Sequence, residues 1–189
     1  MKKLAFALAL ATFAGGALAT PMTFDIDPAH TSPRFEYSHF GYSNQLHAFD
    51  KTSGKVVMDR AAKTGSVDVT IDAKSVNTGY PLFNEHIQGK DFFDTAEFPT
   101  ITFKSTAVKY EGDKPVAVEG NLTIKGITKP VTLKITSFQE MPHPMLKRDA
   151  IGANAEATVK RSDFNMGKYA PYVSDDVTLI IALEAVNKE

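Results

Sequence analysis

Five histidines are the residues of this chain best suited to bind a metal ion or transfer a proton. They are His30, His39, His47, His86 and His143. A zinc site needs two or three such ligands at close spacing, usually with a carboxylate or a thiolate. The sequence has no H-x-H or H-E-x-x-H pattern and no cysteine, and only a favourable hairpin would bring His39 and His47 together. The spacing therefore favours structural or pocket-lining histidines over a metal site.

Serine and carboxylate chemistry has equally little support. A serine nucleophile needs a base and an orienting residue, and the sequence has no G-x-S-x-G motif. Asp91 and Asp94 flank two phenylalanines, but capping of a short helical turn explains them without a catalytic role. The residues favour binding without catalysis and predict no cofactor. The alternative is an enzyme for a small apolar or lipidic substrate, with His39, His86 and Asp91 as its polar groups.

Alternation of apolar and polar residues predicts that the chain is almost entirely β-strand. Val67, Val69 and Ile71 alternate with polar neighbours, and a period of two is typical of a strand with one buried face. The pattern recurs in about eight strands, one of them spanning residues 45–59, at the short spacing of sandwiches and barrels. Two prolines in the segment 141–145 predict a loop there.

One connection is unusually apolar and indicates what the strands enclose. It joins the strands at 66–72 and 100–110 and contains Phe83, Phe92, Phe93 and Phe98. So apolar a connection must pack over something, and in a β-rich protein the natural place is the mouth of a barrel. One face of the strand at 151–159 carries Ala153, Ala155 and Ala157. These small residues would leave space for a lumen or, alternatively, pack closely against bulky opposite residues.

Short motifs along the chain occur in a characteristic order. They are Asp25-Ile26-Asp27-Pro28-Ala29-His30-Thr31, Asn84-Glu85-His86-Ile87, Asp91-Phe92-Phe93-Asp94, Phe98-Pro99-Thr100-Ile101-Thr102-Phe103 and Arg161-Ser162-Asp163-Phe164. Together they resemble the YceI-like family of periplasmic polyisoprenoid-binding proteins. The resemblance implies an antiparallel, lipocalin-like barrel with an apolar pore for a polyprenyl chain, an isoprenoid quinone or a related amphiphile. At Phe83 and Asn84 this chain departs from the family's usual Arg-Asp pair, which either fixes a head group or staples the connection.

The sequence therefore predicts an all-β protein: an antiparallel barrel of about eight strands with short helices covering one end. Alternation and the family resemblance together select the residues that would line its lumen and contact the ligand. For each of them the alternative is an ordinary core position, but their concentration in connections favours a ligand. The candidates are Phe35, Tyr37, His39, Phe83, His86, Phe92, Phe93, Ile101, Phe103, Met166 and Tyr169.

The N-terminus predicts export to the periplasm. Lys2 and Lys3 precede an apolar run that ends in Ala17-Leu18-Ala19, which is the pattern of a cleaved signal peptide at residues 1–19. Cleavage would leave one domain at 20–189 and, with both lysines lost, lower the formal net charge from −1 to −3. This balance predicts no nucleic-acid partner and no electrostatic membrane docking. Without cysteine no lipid anchor is expected, while pairing of edge strands would allow a homodimer.

Overall fold

The computed structural model describes residues 20–188, which form a β-barrel with very little helix. The predicted signal peptide at 1–19 lies outside the described residues. The strands are β1 Met22–Ile26, β2 Ser32–His39, β3 Ser43–Phe49, β4 Thr52–Asp59, β5 Thr64–Asp72, β6 Val76–Asn77, β7 Thr100–Glu111, β8 Lys114–Ile124, β9 Ile127–Pro142, β10 Asp149–Lys160 and β11 Asp176–Asn187. Helix α1 spans Pro81–Ile87, and single 3-10 turns lie at Ala73–Ser75 and Arg161–Phe164. Within the described range, no helix is long and apolar enough to cross a membrane.

These strands combine into eight long antiparallel strands that close on themselves. β1 and β2 lie along the same neighbour, β11, and therefore act as one bent strand. β3 and β4 pair with β2 and β1 in the same way, and β6 and β5 pair with β3 and β4. β7 pairs with β5, each strand from β8 to β11 pairs with the one before it, and β11 closes the ring on β1. The predicted antiparallel barrel is confirmed, and the strand predicted at 45–59 is present with a break between β3 and β4.

The bend between β1 and β2 is a locally stabilised turn. The Asp27 carboxylate accepts hydrogen bonds from the backbone N–H of Ala29 at 2.8 Å and from His30 Nδ1 at 2.7 Å. The hydrogen bond between these side chains lowers the pKa of Asp27 and raises the pKa of His30. After the turn, the Thr31 hydroxyl donates to the Glu184 carbonyl at 3.1 Å and accepts from its N–H at 3.2 Å. The Thr31 side chain thus supplies hydrogen bonds to β11 at the point where the backbone turns out of the strand ladder.

The two ends of the barrel have different connections. One end, the mouth, collects the turns 40–42 and 125–126 and the long segments 78–99 and 161–175. The opposite, closed end has shorter connections at 60–63, 112–113 and 143–148. The prediction of a loop from residue 141 was wrong at its start, because Met141 and Pro142 pair with Ala150 and Asp149 as the last residues of β9. A proline is tolerated there because the ladder ends at that point.

Two clusters of apolar side chains pack inside the barrel. The closed half contains Phe24, Ile26, Val56, Met58, Ile151 and Ala185. The mouth half contains a larger cluster that includes four phenylalanines of strands β2, β3 and β7 and of the segment 78–99, namely Phe35, Phe49, Phe93 and Phe103. In the closed half, the side chains of Phe24 and Ala185 are completely inaccessible to solvent. The two halves therefore share the same strands but contain different cores.

Candidate ligand cavity

A cavity of about 370 Å³ occupies the mouth half of the barrel. Its volume falls within the range of about 300–1,000 Å³ that is typical of ligand pockets. Its wall is almost entirely apolar, so the inward side chains of the strands do not meet at the barrel axis. All eleven candidate residues lie in this wall: Phe35, Tyr37, His39, Phe83, His86, Phe92, Phe93, Ile101, Phe103, Met166 and Tyr169. That these residues contact a ligand stays a prediction.

Phe35 is the centre of an aromatic cluster in the cavity wall. Its ring centroid lies 5.6 Å from that of Phe49 on β3 and 5.8 Å from that of Phe93 in the cover segment. Phe49 also contacts Phe93, at 5.4 Å with the rings nearly perpendicular. Edge-to-face pairs at such distances contribute about 0.5–1.5 kcal/mol beyond their buried area. The cluster therefore anchors the cover segment, residues 78–99, to the strand wall.

Helix α1 forms part of the cover above the cavity. It begins at Pro81, and proline suits the first helical turn because its nitrogen needs no hydrogen-bond partner there. Phe83 and His86 are three residues apart, so they lie on the same helix face, with ring centroids 6.0 Å apart. His86 continues the row to Phe92 at 5.1 Å. The helix thus directs an aromatic row over the mouth.

The departure from the family pattern at Phe83 and Asn84 has a structural role in this chain. The Asn84 side-chain oxygen accepts hydrogen bonds from the Thr78 backbone N–H at 2.8 Å and from its hydroxyl at 2.7 Å. The Phe83 ring packs edge-on against His47, with the centroids 5.5 Å apart. Both residues therefore staple the cover to itself and to the wall, without a charged side chain at either position.

Tyr37 and His47 form a polar pair beside the cavity. The Tyr37 hydroxyl and His47 Nε2 are 3.1 Å apart, and His47 is only 5% exposed. Burial lowers the pKa of His47 and raises the pKa of Tyr37, which the nearby Arg161 charge partly offsets. Both groups are therefore neutral at ordinary pH. Within residues 20–188, His47 Nδ1 and the hydroxyl of Thr52, a cavity-wall residue, are the buried side-chain polar atoms that have no hydrogen-bond partner.

Arg161 is a buried cation in the cavity wall, and sequence reasoning missed it as a cavity residue. Its guanidinium donates to the backbone carbonyls of Ser174, Lys168 and Val173, each at 2.7 Å, and also to that of Met166. Burial lowers its pKa, although the nearby Asp175 carboxylate acts in the opposite direction. The five-donor fork of arginine is therefore used to hold the segment 161–175 together. The isolated motif Arg161-Ser162-Asp163-Phe164 gave no indication of these distant carbonyl partners.

An ion pair joins the cover segment to the segment 161–175 across the mouth. The Lys168 ammonium pairs with the Asp91 carboxylate, which lowers the pKa of Asp91 and raises the pKa of Lys168.

The prediction that Asp91 and Asp94 cap a helical turn was wrong for the side chains. At Asp94, where φ is 46°, it is the backbone carbonyl that accepts a hydrogen bond from the Phe98 N–H, at 2.8 Å.

Neither His39 nor His143 converges with His47. In the β2–β3 hairpin His39 is opposite Ser43 whereas His47 is opposite Phe35, so the hairpin separates the two histidines. His143 Nδ1 accepts hydrogen bonds from two backbone N–H groups of its own turn at the closed end. In the described part of the chain, no group of three His, Asp or Glu side chains is arranged to hold a metal ion.

The alanine face of β10 leaves space in the closed half and not in the main cavity. Ala153 and Ala155 line a second cavity of about 80 Å³. Four residues belong to the walls of both cavities: Val67, Leu133, Ile181 and Leu183. The open question between lumen and close packing is thus answered in part, because the small side chains leave only a small void below the main cavity.

Comparison with known proteins identifies relatives over nearly the whole described chain. The model of the YceI-like domain matches residues 24–185. Protein YceI of Salmonella arizonae is 36% identical over 193 residues, which cover 100% of both chains. Protein YceI of Salmonella enteritidis has the same identity and coverage.

Solved structures give the same result. The crystal structure of Burkholderia cenocepacia BcnA has a TM-score of 0.72 at 29% identity and covers 85% of this chain and 99% of that chain. The Campylobacter jejuni YCEI protein has a TM-score of 0.69 at 31% identity and covers 80% of this chain and 90% of that chain. A polyisoprenoid binding domain from Saccharophagus degradans has a TM-score of 0.64 at 18% identity, covering 88% of this chain and 99% of that chain, and shares the fold.

Proposed function

This chain belongs to the YceI-like family, and we propose that it is a soluble periplasmic carrier for a polyisoprenoid or a similar long-chain amphiphile, such as an isoprenoid quinone. The observation that carries the proposal is the apolar cavity of about 370 Å³ in the mouth half. The name of the Saccharophagus degradans relative supports the ligand class. The predicted signal peptide supports the periplasm as the compartment.

The chemistry of the wall selects an apolar chain as the ligand. A water molecule in such a wall finds few hydrogen-bond partners, whereas each methylene group transferred from water gains about 0.8 kcal/mol. Ten buried methylene groups would contribute roughly 8 kcal/mol, the free energy of micromolar binding, before the entropy costs of association are subtracted. The Phe35 cluster and the lumen face of β11, which includes Leu179, would supply this contact area.

The polar groups near the cavity suit an uncharged head group. The Tyr37 hydroxyl faces a neutral His47, and together they can offer one donor or one acceptor, depending on the tautomer of the imidazole. The Arg161 guanidinium is occupied by four carbonyl groups. A phosphorylated head group would therefore have to displace these hydrogen bonds. A hydroxyl or carbonyl head would not.

We propose that the ligand leaves chemically unchanged. Of the three polar residues that an enzyme would use, Asp91 is paired with Lys168, His39 packs edge-on against Phe40 at 4.5 Å and His86 lies between two phenylalanine rings. Each side chain is therefore engaged in a packing or rim contact. The carrier cycle consists of capture, shielding from water and release.

Native mass spectrometry of the protein isolated from its own periplasm tests the proposal. We expect an adduct whose mass and fragmentation identify one long-chain isoprenoid amphiphile, and uptake of a polyprenyl lipid by delipidated protein at a ratio of one to one. A short polar isoprenoid alcohol is the matched control, and it should bind at least tenfold more weakly because it buries fewer methylene groups. Protein that keeps its bare mass after titration with the lipid would refute the carrier role. Chemically altered lipid after long incubation would establish the enzyme instead.

A further inference from the structure

Three neighbouring segments at the mouth contain no charged residue. The segments 39–46, 77–84 and 169–174, which we call the uncharged arc, contain no Asp, Glu, Lys or Arg, although such residues make up 23% of the chain. The backbone N–H of Phe40 donates to the Tyr172 carbonyl at 2.8 Å and thereby joins two of the segments. The third segment begins in β6, which pairs with β3 so that Asn77 lies beside Ala48, two residues after the segment 39–46 ends.

The uncharged arc exposes large apolar and aromatic side chains to solvent. Tyr42 is 90% exposed and Tyr172 is 71% exposed. The other large exposed side chains of the arc are Phe40, Leu46, Tyr80, Leu82 and Tyr169. The Phe40 and Tyr172 rings stack at 6.3 Å, so neighbouring segments form one patch. A contiguous exposed patch of this kind marks an interaction surface.

The remainder of the mouth has a different character. Lys90, Asp91, Lys125 and Lys168 lie beside the arc, where Lys168 pairs with Asp91 and lies 5.3 Å from the Tyr169 ring centroid. Lys125 donates to the backbone carbonyls of Lys90 and Asn165. The connections of the closed end also carry charges, as at 60–63 and 143–148. The segments without charged residues thus lie on one side of the cavity opening, with Glu36, Asp50 and Lys168 at their borders.

We propose that the uncharged arc docks reversibly on the surface of a lipid bilayer. This rests on the proposed carrier function, for which the bilayer is the source or destination of the ligand. Four of the seven exposed side chains are tyrosines, whose amphipathic rings settle at the level of lipid headgroups. Charged residues would oppose such insertion, and the arc has none.

The uncharged arc is continuous with the cavity wall, and this favours a bilayer over a second copy of the chain as its partner. Phe40 and Tyr169 belong both to the exposed arc and to the cavity wall. A lipid chain that leaves a bilayer docked on the arc would therefore meet apolar side chains along the way into the lumen. A second copy of the chain on this surface would cover the opening and give the ligand no such path.

The absence of tryptophan from the chain allows a direct test. In the full protein, Tyr42→Trp places a single indole on the arc, and Met145→Trp places one at the closed end, where Met145 is 84% exposed. With phosphatidylcholine vesicles brominated on the acyl chains, we expect a blue shift and quenching of the indole at position 42 and neither effect at position 145. Equal responses at both positions, or none at position 42, would overturn the proposal.

A second pair of variants separates docking from ligand binding. Tyr42→Ser with Leu82→Ser should reduce co-flotation with phosphatidylcholine vesicles by roughly tenfold or more, whereas the closed-end pair Met145→Ser with Leu146→Ser should leave it unchanged. Docking should persist in high salt because no charge carries it. Both pairs should still take up polyprenyl lipid added from ethanol, because these residues lie outside the cavity wall. Failure of the wild type and of both variant pairs to take up the lipid would contradict the carrier role, whereas unchanged flotation of the arc variant would contradict docking alone.

Sedimentation velocity tests whether a second copy of the chain, rather than a bilayer, covers the uncharged arc. We expect a single species of unchanged size for the wild type and for the arc variant at micromolar concentration. A wild-type dimer that Tyr42→Ser with Leu82→Ser dissociates would assign the arc to a second copy of the chain and overturn the bilayer proposal.

Discussion

The closed half and the mouth half of this barrel are built by the same eight strands, yet only the mouth half encloses a large cavity. In the closed half, Phe24 and Ala185 are completely buried and the remaining void is about 80 Å³. In the mouth half, the cavity of about 370 Å³ is bordered by a ring of aromatic side chains and by the cover segment. Barrel closure therefore does not determine whether the interior is filled.

The connections explain how the mouth half stays hollow. Strand β6 at the mouth pairs with β3, while β7 begins at Thr100 after the cover segment. The cover segment supplies Phe93 to the wall from outside the strand ladder, and Arg161 holds the second long segment through carbonyl contacts. Long connections thus provide in the mouth half the packing that inward side chains provide in the closed half.

The largest expected contrast concerns phenylalanine removal in the two halves. Phe24→Ala should lower the free energy of unfolding by about 4 kcal/mol, because a fully packed site cannot relax around the lost ring. Phe92→Ala, in the half-buried cover, should cost about 1 kcal/mol because one side of its ring already borders the cavity. Urea unfolding at neutral pH measures both values. Equal losses would show that the cover packs as tightly as the closed core.

The second contrast concerns two arginines. Arg161→Ala should cost about 3 kcal/mol, because four backbone carbonyls lose a charged donor. At the closed end, Arg60 lies on the surface with Glu140 and Asp149, so Arg60→Ala should cost less than about 1 kcal/mol. Urea titrations of both variants check the difference, and Arg161→Lys should recover only part of the loss because lysine lacks the planar fork. A small effect at Arg161 would mean that the segment 161–175 holds itself without the guanidinium.

The third contrast concerns the free volume in the two halves of the barrel. Ala185→Leu adds volume where none is free and should destabilise the protein by about 2 kcal/mol while leaving lipid uptake intact. Val131→Phe projects into the main cavity from β9 and should cost less than about 1 kcal/mol while weakening uptake, because the ring occupies the ligand's space. Melting curves and lipid titration give the two readouts. Undiminished uptake by the Val131 variant would place the ligand elsewhere.

The smallest expected effect is the pH dependence from His47. Its pKa lies below the ordinary value near 6.5 because burial disfavours the charged imidazole. As the pH falls through that value, the unfolded chain takes up a proton that the folded chain resists, so stability declines. From pH 7.5 to 5, the wild type should therefore lose more stability than His47→Gln in urea titrations.

His30→Gln is the matched control for this measurement. Its partner Asp27 raises the pKa of His30, so the contribution of His30 is fully present below about 6.5 and is lost as the pH rises through the raised pKa. Its removal should therefore change the pH slope in the opposite sense to that of His47→Gln. Parallel slopes for wild type and His47→Gln would mean that the imidazole does not remain neutral when the protein is folded.

The sequence determined the strand content and, together with the family resemblance, the barrel architecture. Alternation reports which face of each strand is buried, and an apolar connection such as that around Phe92 must be covered. The wall positions of residues like Tyr37 and Met166 followed from the same periodicity and from the family resemblance.

Only the tertiary structure decided which polar atoms lie beside that wall and what holds the mouth together. The four carbonyls bound by Arg161, the isolated nitrogen of His47 and the joining of three uncharged segments into one arc depend on residues distant in the chain. Such contacts arise from strand register and barrel closure, which bring remote segments together without leaving a periodic signal in the sequence.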